Sequence, residues 1–118
     1  MSIFDTALQG LTRTDVQALV DGEAVENVRL EFKRDVPKRD EMLKKLSAFA
    51  NTYGGHLVIG VDASSDDGKA VGLPGVEPQR NFKQTVVQWC AGGITPLIEV
   101  SVSEAIPLDN EGRRVAYV

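Results

Sequence analysis

At 118 residues the chain is the size of one domain, long enough to bury a single core and too short to require a second. Hydrophobic residues at 42% and charged residues at 25% are those of a soluble globular fold, and no apolar run approaches the roughly 20 residues that cross a bilayer, so no membrane partner is expected. The net charge of −4 argues against coating nucleic acid by bulk attraction, and the opening MSIFDTALQG lacks the basic flank and apolar block of a secretory signal, so a cytoplasmic setting is expected.

In chain order, Thr14 to Asp21 predicts a short helix, with Thr14 as its cap, Gln17 three places on, Val16, Leu19 and Val20 as its apolar face, and Gly22 as its stop. Val28, Leu30 and Phe32 then alternate with Arg29, Glu31 and Lys33, the period of a strand with one buried and one polar face. After the loop VPKRD, Asp40 is placed to cap a helix to about Tyr53, with Met42, Leu43, Leu46, Phe49, Ala50 and Tyr53 at helical spacing. Gly54 and Gly55 end it, because the residue past a helix end turns left-handed and glycine does so without steric cost. This glycine pair cannot cradle a phosphate. Phosphate loops lead into a helix N-terminus, whereas these glycines follow a C-terminus with its partial negative charge.

HLVIGV (56–61) is too continuously apolar for a one-sided strand and is expected at the centre of the sheet. ASSDDGK is a loop, Ala70 to Gly72 a short strand, and Glu77 or Pro78 to about Cys90 a helix carrying Phe82, Val86, Val87, Trp89 and Cys90, closed by AGG. Leu97 to Ser103 and Arg113 to Val118 are expected as strands joined by a turn containing DNEG. The expected fold is therefore α/β (α+β), a mixed sheet packed against two or three helices in a single domain over 1–118.

Charge is unevenly spread. From Arg29 to Lys45 seven basic residues face four acidic ones, a balance of +3 that leaves −7 on the remainder. Arg29 and Lys33 on a strand, followed by Arg34, Lys38 and Arg39 in a loop, make a stripe suited to tracking a phosphate backbone. The lone Cys90 has no disulfide partner and reads as a small buried apolar residue in a reducing compartment. His56, the single histidine, has no cysteine or second histidine with which to share zinc. Asn51 at a helix end suits bonding to turn carbonyls, and Phe49 and Tyr53 are expected in the core at their helical spacing, unless Tyr53 proves exposed and free to stack on a base.

The combination of ENVRLEFK (26–33), a basic loop and helix, AFANTYGGHLVIGV (48–61), AVGLPG (70–75) and ITPLIEV (94–100) resembles the Schlafen AlbA-like domain over roughly residues 14–118. The resemblance implies DNA or RNA as partner, in a module of bacterial transcriptional regulators or ATPase and helicase-like proteins. Where such domains continue into a further V-x-V run, this chain stops at RVAYV, which suggests a domain cut from a longer protein. Some eukaryotic Schlafens are endoribonucleases with two glutamates five places apart and a downstream aspartate. The matching positions here are Glu26, Glu31 and Asp62, with Asp66 and Asp67 as substitutes for the third. Such carboxylates would suit Mg²⁺ or Mn²⁺, with Lys33 stabilising charge. Five-residue spacing puts side chains on opposite faces of a regular strand, so Glu26 must lie in a turn or bulge to join Glu31. A third expectation is a protein-contact or homodimer module whose basic segment meets an acidic partner.

Overall fold

The computed structural model describes residues 7–93 and 98–118, and the expected mixed fold is observed in it. A single 3-10 turn over Leu8–Gly10 leads into α1 (Arg13–Asp21), β1 (Leu30–Lys33), α2 (Arg39–Ala50), β2 (His56–Ile59), β3 (Asp62–Ala63), β4 (Ala70–Gly72), α3 (Phe82–Gly93), β5 (Ile106–Pro107) and β6 (Val115–Ala116).

The strands form three two-stranded ladders: β1 parallel to β2, β3 antiparallel to β4, and β5 antiparallel to β6. A bridge from Ile59 to Tyr117 joins the first ladder to the last, and one from Val76 to Val115 pairs the segment after β4 with β6. As expected from its apolar run, β2 is central, with β1 on one side, Tyr117 on the other, and Leu57, Val58 and Ile59 all buried. Its alternation divides the core. Leu57 and Ile59 join Met42, Leu43, Phe49, Phe82, Val86 and Cys90 under α2 and α3, whereas Val58 joins Leu30, Phe32, Val16 and Leu19 on the side of α1. Cys90 is an inert core residue whose thiol is pushed up by burial.

Several local expectations shift. Helix α1 begins one residue early, at Arg13, because Thr12, not Thr14, caps it, its backbone N–H donating to Asp15 Oδ2 at 2.8 Å. Gly22 stops the helix as expected, as its C-cap (φ −85), and the left-handed residue past it is Glu23 (φ 53). Helix α2 is capped by Lys38, without a side-chain hydrogen bond, and ends at Ala50 rather than Tyr53. Asp62, expected in a loop, lies in β3 opposite Gly72. Helix α3 starts later than expected and runs on through Gly93.

The final hairpin is displaced as well. Residues 94–97 of the expected first strand lie outside the described residues, 98–103 form no strand, and the pairing is Ile106 with Ala116 and Pro107 with Val115. The turn dictates this register, since the Asp109 carboxylate accepts the N–H groups of Glu111, Arg113 and Arg114 and closes a tight loop immediately after β5.

Candidate functional site

The charged face of β1 is not the open surface its alternation suggested. Glu31 and Lys33 pair in register with Leu57 and Ile59, so they point to the side of the sheet that α2 covers. There Lys45 Nζ lies 2.8 Å from Glu31, and Lys33 Nζ lies 3.7 Å from Glu41 and 4.0 Å from Glu31. The i, i+4 pair Glu41 and Lys45 thus mirrors Lys33 and Glu31 with opposite charge, which seats the helix at one height on the strand. Lys33 is committed to this lattice, and Glu31, with 22% of its side chain exposed, is its innermost member. Arg29, one position outside β1 on the same face, is exposed, and its Nη2 donates to the carbonyl of Tyr53 at 3.4 Å.

Beyond β1 the chain curves through Arg34–Lys38 into the N-terminus of α2, and residues 33–41 line a shallow depression. Arg34 pairs with Asp62 at 3.3 Å and Arg39 with its neighbour Asp40 at 3.3 Å, both largely in solvent, where such pairs are weak and exchangeable. Lys38 and Lys44 are exposed and carry no ion pair among the described residues. Arg34, Lys38 and Arg39 therefore gather around a helix N-terminus whose cap has no side-chain hydrogen bond, with Asp40 and Glu41 in its first turn. Lys44 and Lys45 complete the set. The sequence counted them among its cations without placing them; Lys45 was findable as the residue four positions after Glu41.

The three carboxylates expected to share a metal each have a separate partner. Glu26 Oε2 accepts the backbone N–H of Phe32 at 2.9 Å, Glu31 is held by Lys45 and Lys33, and Asp62 faces Arg34. Among the described residues no three His, Cys, Asp or Glu stand together in a way that could hold a metal ion. Asp66 and Asp67 belong to the β3–β4 turn, where the N–H of Lys69 donates to Asp67 and holds its carboxyl below the usual range. Glu26 does lie outside the regular strand, as required: its N–H donates to the carbonyl of Gly68, and its side chain takes the place of a strand neighbour for β1. Glu26→Gln, which keeps an acceptor for Phe32, should retain most of the stability in urea unfolding. Glu26→Ala, which strands that N–H, should cost about 1–3 kcal/mol; equal stability of the two variants would refute this role.

The opposite end of α2 holds what the sequence placed in the core. Tyr53 is 95% exposed and left-handed at φ 67. Val28, expected on the buried face of β1, is likewise 74% exposed, because Asn27 turns the chain by accepting the Arg29 N–H at 2.8 Å. Thr52, not Asn51, bonds the turn: its hydroxyl donates to the Ala48 carbonyl at 3.0 Å and lies 3.4 Å from that of Val28. Gly54 (φ 91) has the expected left-handed turn, but Gly55 is needed for another reason, since a Cβ there would come within 2.5 Å of the Phe49 ring and 2.8 Å of the Arg29 carbonyl. His56 follows, its pKa lowered by burial first and by the Arg29 charge second. A cavity of about 260 Å³ between α2, α3 and β2 is lined largely by core side chains, Met42, Phe49, Leu57, Phe82 and Val86 among them, and none of the stripe's arginines or lysines lines it.

No helix among the described residues is long and apolar enough to cross a membrane. No curated protein and no solved structure matches the chain. The family model described as Schlafen, AlbA_2 does match it over residues 26–118, from the glutamate that supports β1 through the last strand, and the chain belongs to that family.

Proposed function

We propose that the chain is a nucleic-acid-binding module that tracks a phosphate backbone along the edge formed by β1 and α2. The observation that carries this reading is the exposed group Arg34, Lys38 and Arg39 around the N-terminus of α2, whose cap makes no side-chain hydrogen bond, with Lys44 on the helix behind it and Arg29 at the far end of β1. Family membership is consistent with it. Lys33 contributes by fixing α2 on β1 rather than by meeting phosphate, and Glu26, Glu31 and Asp62 have structural work as a strand partner, a lattice member and a counter-charge to Arg34. A cytoplasmic regulatory or helicase-like protein is the setting in which such a module would serve.

The test is binding of labelled RNA and DNA, single- and double-stranded, across about 50–200 mM salt, with Mn²⁺ or with chelator. Log affinity should fall linearly with log salt, and Arg34→Ala with Lys38→Ala should lower the slope by about 0.7–0.9 for each lost phosphate contact. Salt-independent binding, or a double variant that binds as the parent does, would overturn the stripe. Shortened products that require metal and disappear with Glu31→Gln would replace this reading with a divalent-metal nuclease acting through Glu26, Glu31 and Asp62. Mass that grows with protein concentration in scattering, with no nucleic acid bound, would replace it with a dimerisation module.

A further inference from the structure

Tyr53 is the residue the fold explains least. It is 95% exposed, so its ring adds almost nothing to the core, and at φ 67 it holds a backbone conformation that glycine or asparagine would take at lower cost. The fold nevertheless keeps this corner in place from three directions. Arg29 Nη2 donates to the Tyr53 carbonyl, the Thr52 hydroxyl bonds the last turn of α2, and Gly54 N–H returns to the Phe49 carbonyl at 2.7 Å. An aromatic ring is thus presented to solvent on a braced turn, with the Arg29 guanidinium at the carbonyl of the same residue.

From this arrangement, and resting on the nucleic-acid reading above, we infer that Tyr53 is a stacking platform for an unpaired base, which makes single-stranded nucleic acid the preferred ligand. An exposed ring at a protruding corner can stack only on a base that is not already stacked inside a duplex. The charge pattern orients the strand. Tyr53 sits at the C-terminal end of α2, whose partial negative charge tolerates a neutral base and leaves any phosphate contact there to the Arg29 guanidinium, while the end with Lys38 and Arg39 lies one helix length away. For the 12 residues of α2 that length is about 18 Å. Because β1 (Leu30–Lys33), with Arg29 just before it, runs beside α2, the base platform and the basic loop are the two ends of one stripe. Arg29 serves both, bracing the Tyr53 turn through one nitrogen and leaving its other donors for a phosphate next to the stacked base.

The test uses the full chain with short labelled oligo(dT), the same backbone carrying abasic sites, and a duplex, compared for the parent, Tyr53→Phe and Tyr53→Asn. Asparagine is chosen because it keeps the left-handed turn while removing the ring, and circular dichroism checks that both variants are folded. The parent should bind the base-bearing single strand more tightly than the abasic strand or the duplex. Tyr53→Asn should lose about 5- to 100-fold on the base-bearing strand and nothing on the abasic one, with the salt slope unchanged, and Tyr53→Phe should bind as the parent does. If Tyr53→Asn binds the base-bearing strand as the parent does, or weakens on both strands alike, the platform is refuted while salt-dependent binding through the basic loop still stands. Were the parent to bind none of the three ligands, the nucleic-acid reading would fall and this inference with it.

Discussion

Gly55→Ala should lower the thermal midpoint by about 8–12 °C, equivalent to about 2–3 kcal/mol in a domain of this size. Its backbone is not in the left-handed region, so the cost is one of volume alone: the new methyl would lie 2.5 Å from Phe49 Cδ1 and 2.8 Å from the Arg29 carbonyl oxygen. Neither neighbour yields easily. Phe49 is buried in the α2 core, and the Arg29 carbonyl accepts the His56 N–H at 2.9 Å at the start of the β1–β2 ladder. The neighbouring glycine is the control, because Gly54 has φ 91 and nothing within 4 Å of a built Cβ, so Gly54→Ala should cost only the left-handed penalty of roughly 1–2 kcal/mol. Pairing Gly55→Ala with Phe49→Leu should recover part of the loss by vacating the ring. A cycle with no coupling between these positions would show that the clash is relieved elsewhere.

Tyr117→Ala should be the most damaging single truncation, at about 3–5 kcal/mol by urea unfolding, the range for large aromatic residues in cores. Three connections meet there. Its backbone exchanges hydrogen bonds with Ile59 at 2.8 and 3.1 Å, its ring packs on Phe82 at 4.4 Å between centroids, and its hydroxyl accepts the Gln79 N–H at 2.8 Å just before α3. Alanine keeps the first and loses the other two. Tyr117→Phe isolates the hydroxyl and should cost about 1–2 kcal/mol, the penalty of leaving the Gln79 N–H without its acceptor. If both variants fell by the same amount, the ring contact would carry no weight and the hydroxyl all of it.

The sequence revealed most of the features that rest on periodicity within one segment. The buried run of β2, the Leu30 and Phe32 alternation, the apolar face of α2 and the Ala70–Gly72 strand are where their patterns put them, because burial of contiguous side chains dominates those choices. What it did not reveal depends on partners distant in the chain. The alternation of β1 shows that Glu31 and Lys33 share a face, but only the placement of α2 shows that Lys45 and Glu41 occupy it. Tyr53 continues the helical spacing from Met42 to Ala50, yet the close approach of Gly55 to Arg29 and Phe49 forces the chain to leave the helix first. Glu26 and Glu31 were legible as a pair of carboxylates. Their separate duties were not, since one answers a backbone N–H six positions on and the other a lysine on another element.

The bridge between Ile59 and Tyr117 also sets an order of events. Strand β1, helix α2 and strand β2 are consecutive, so the parallel pair can close while the chain is still growing, at the modest entropy of a short loop. The other edge of β2 has to wait for Tyr117, far along the chain from Ile59, and until then the Leu57 and Ile59 face lacks the tyrosine that covers it. Formation of that last bridge should therefore be the slow, non-local step of folding, and an intermediate stalled before it would expose the centre of the sheet to other molecules.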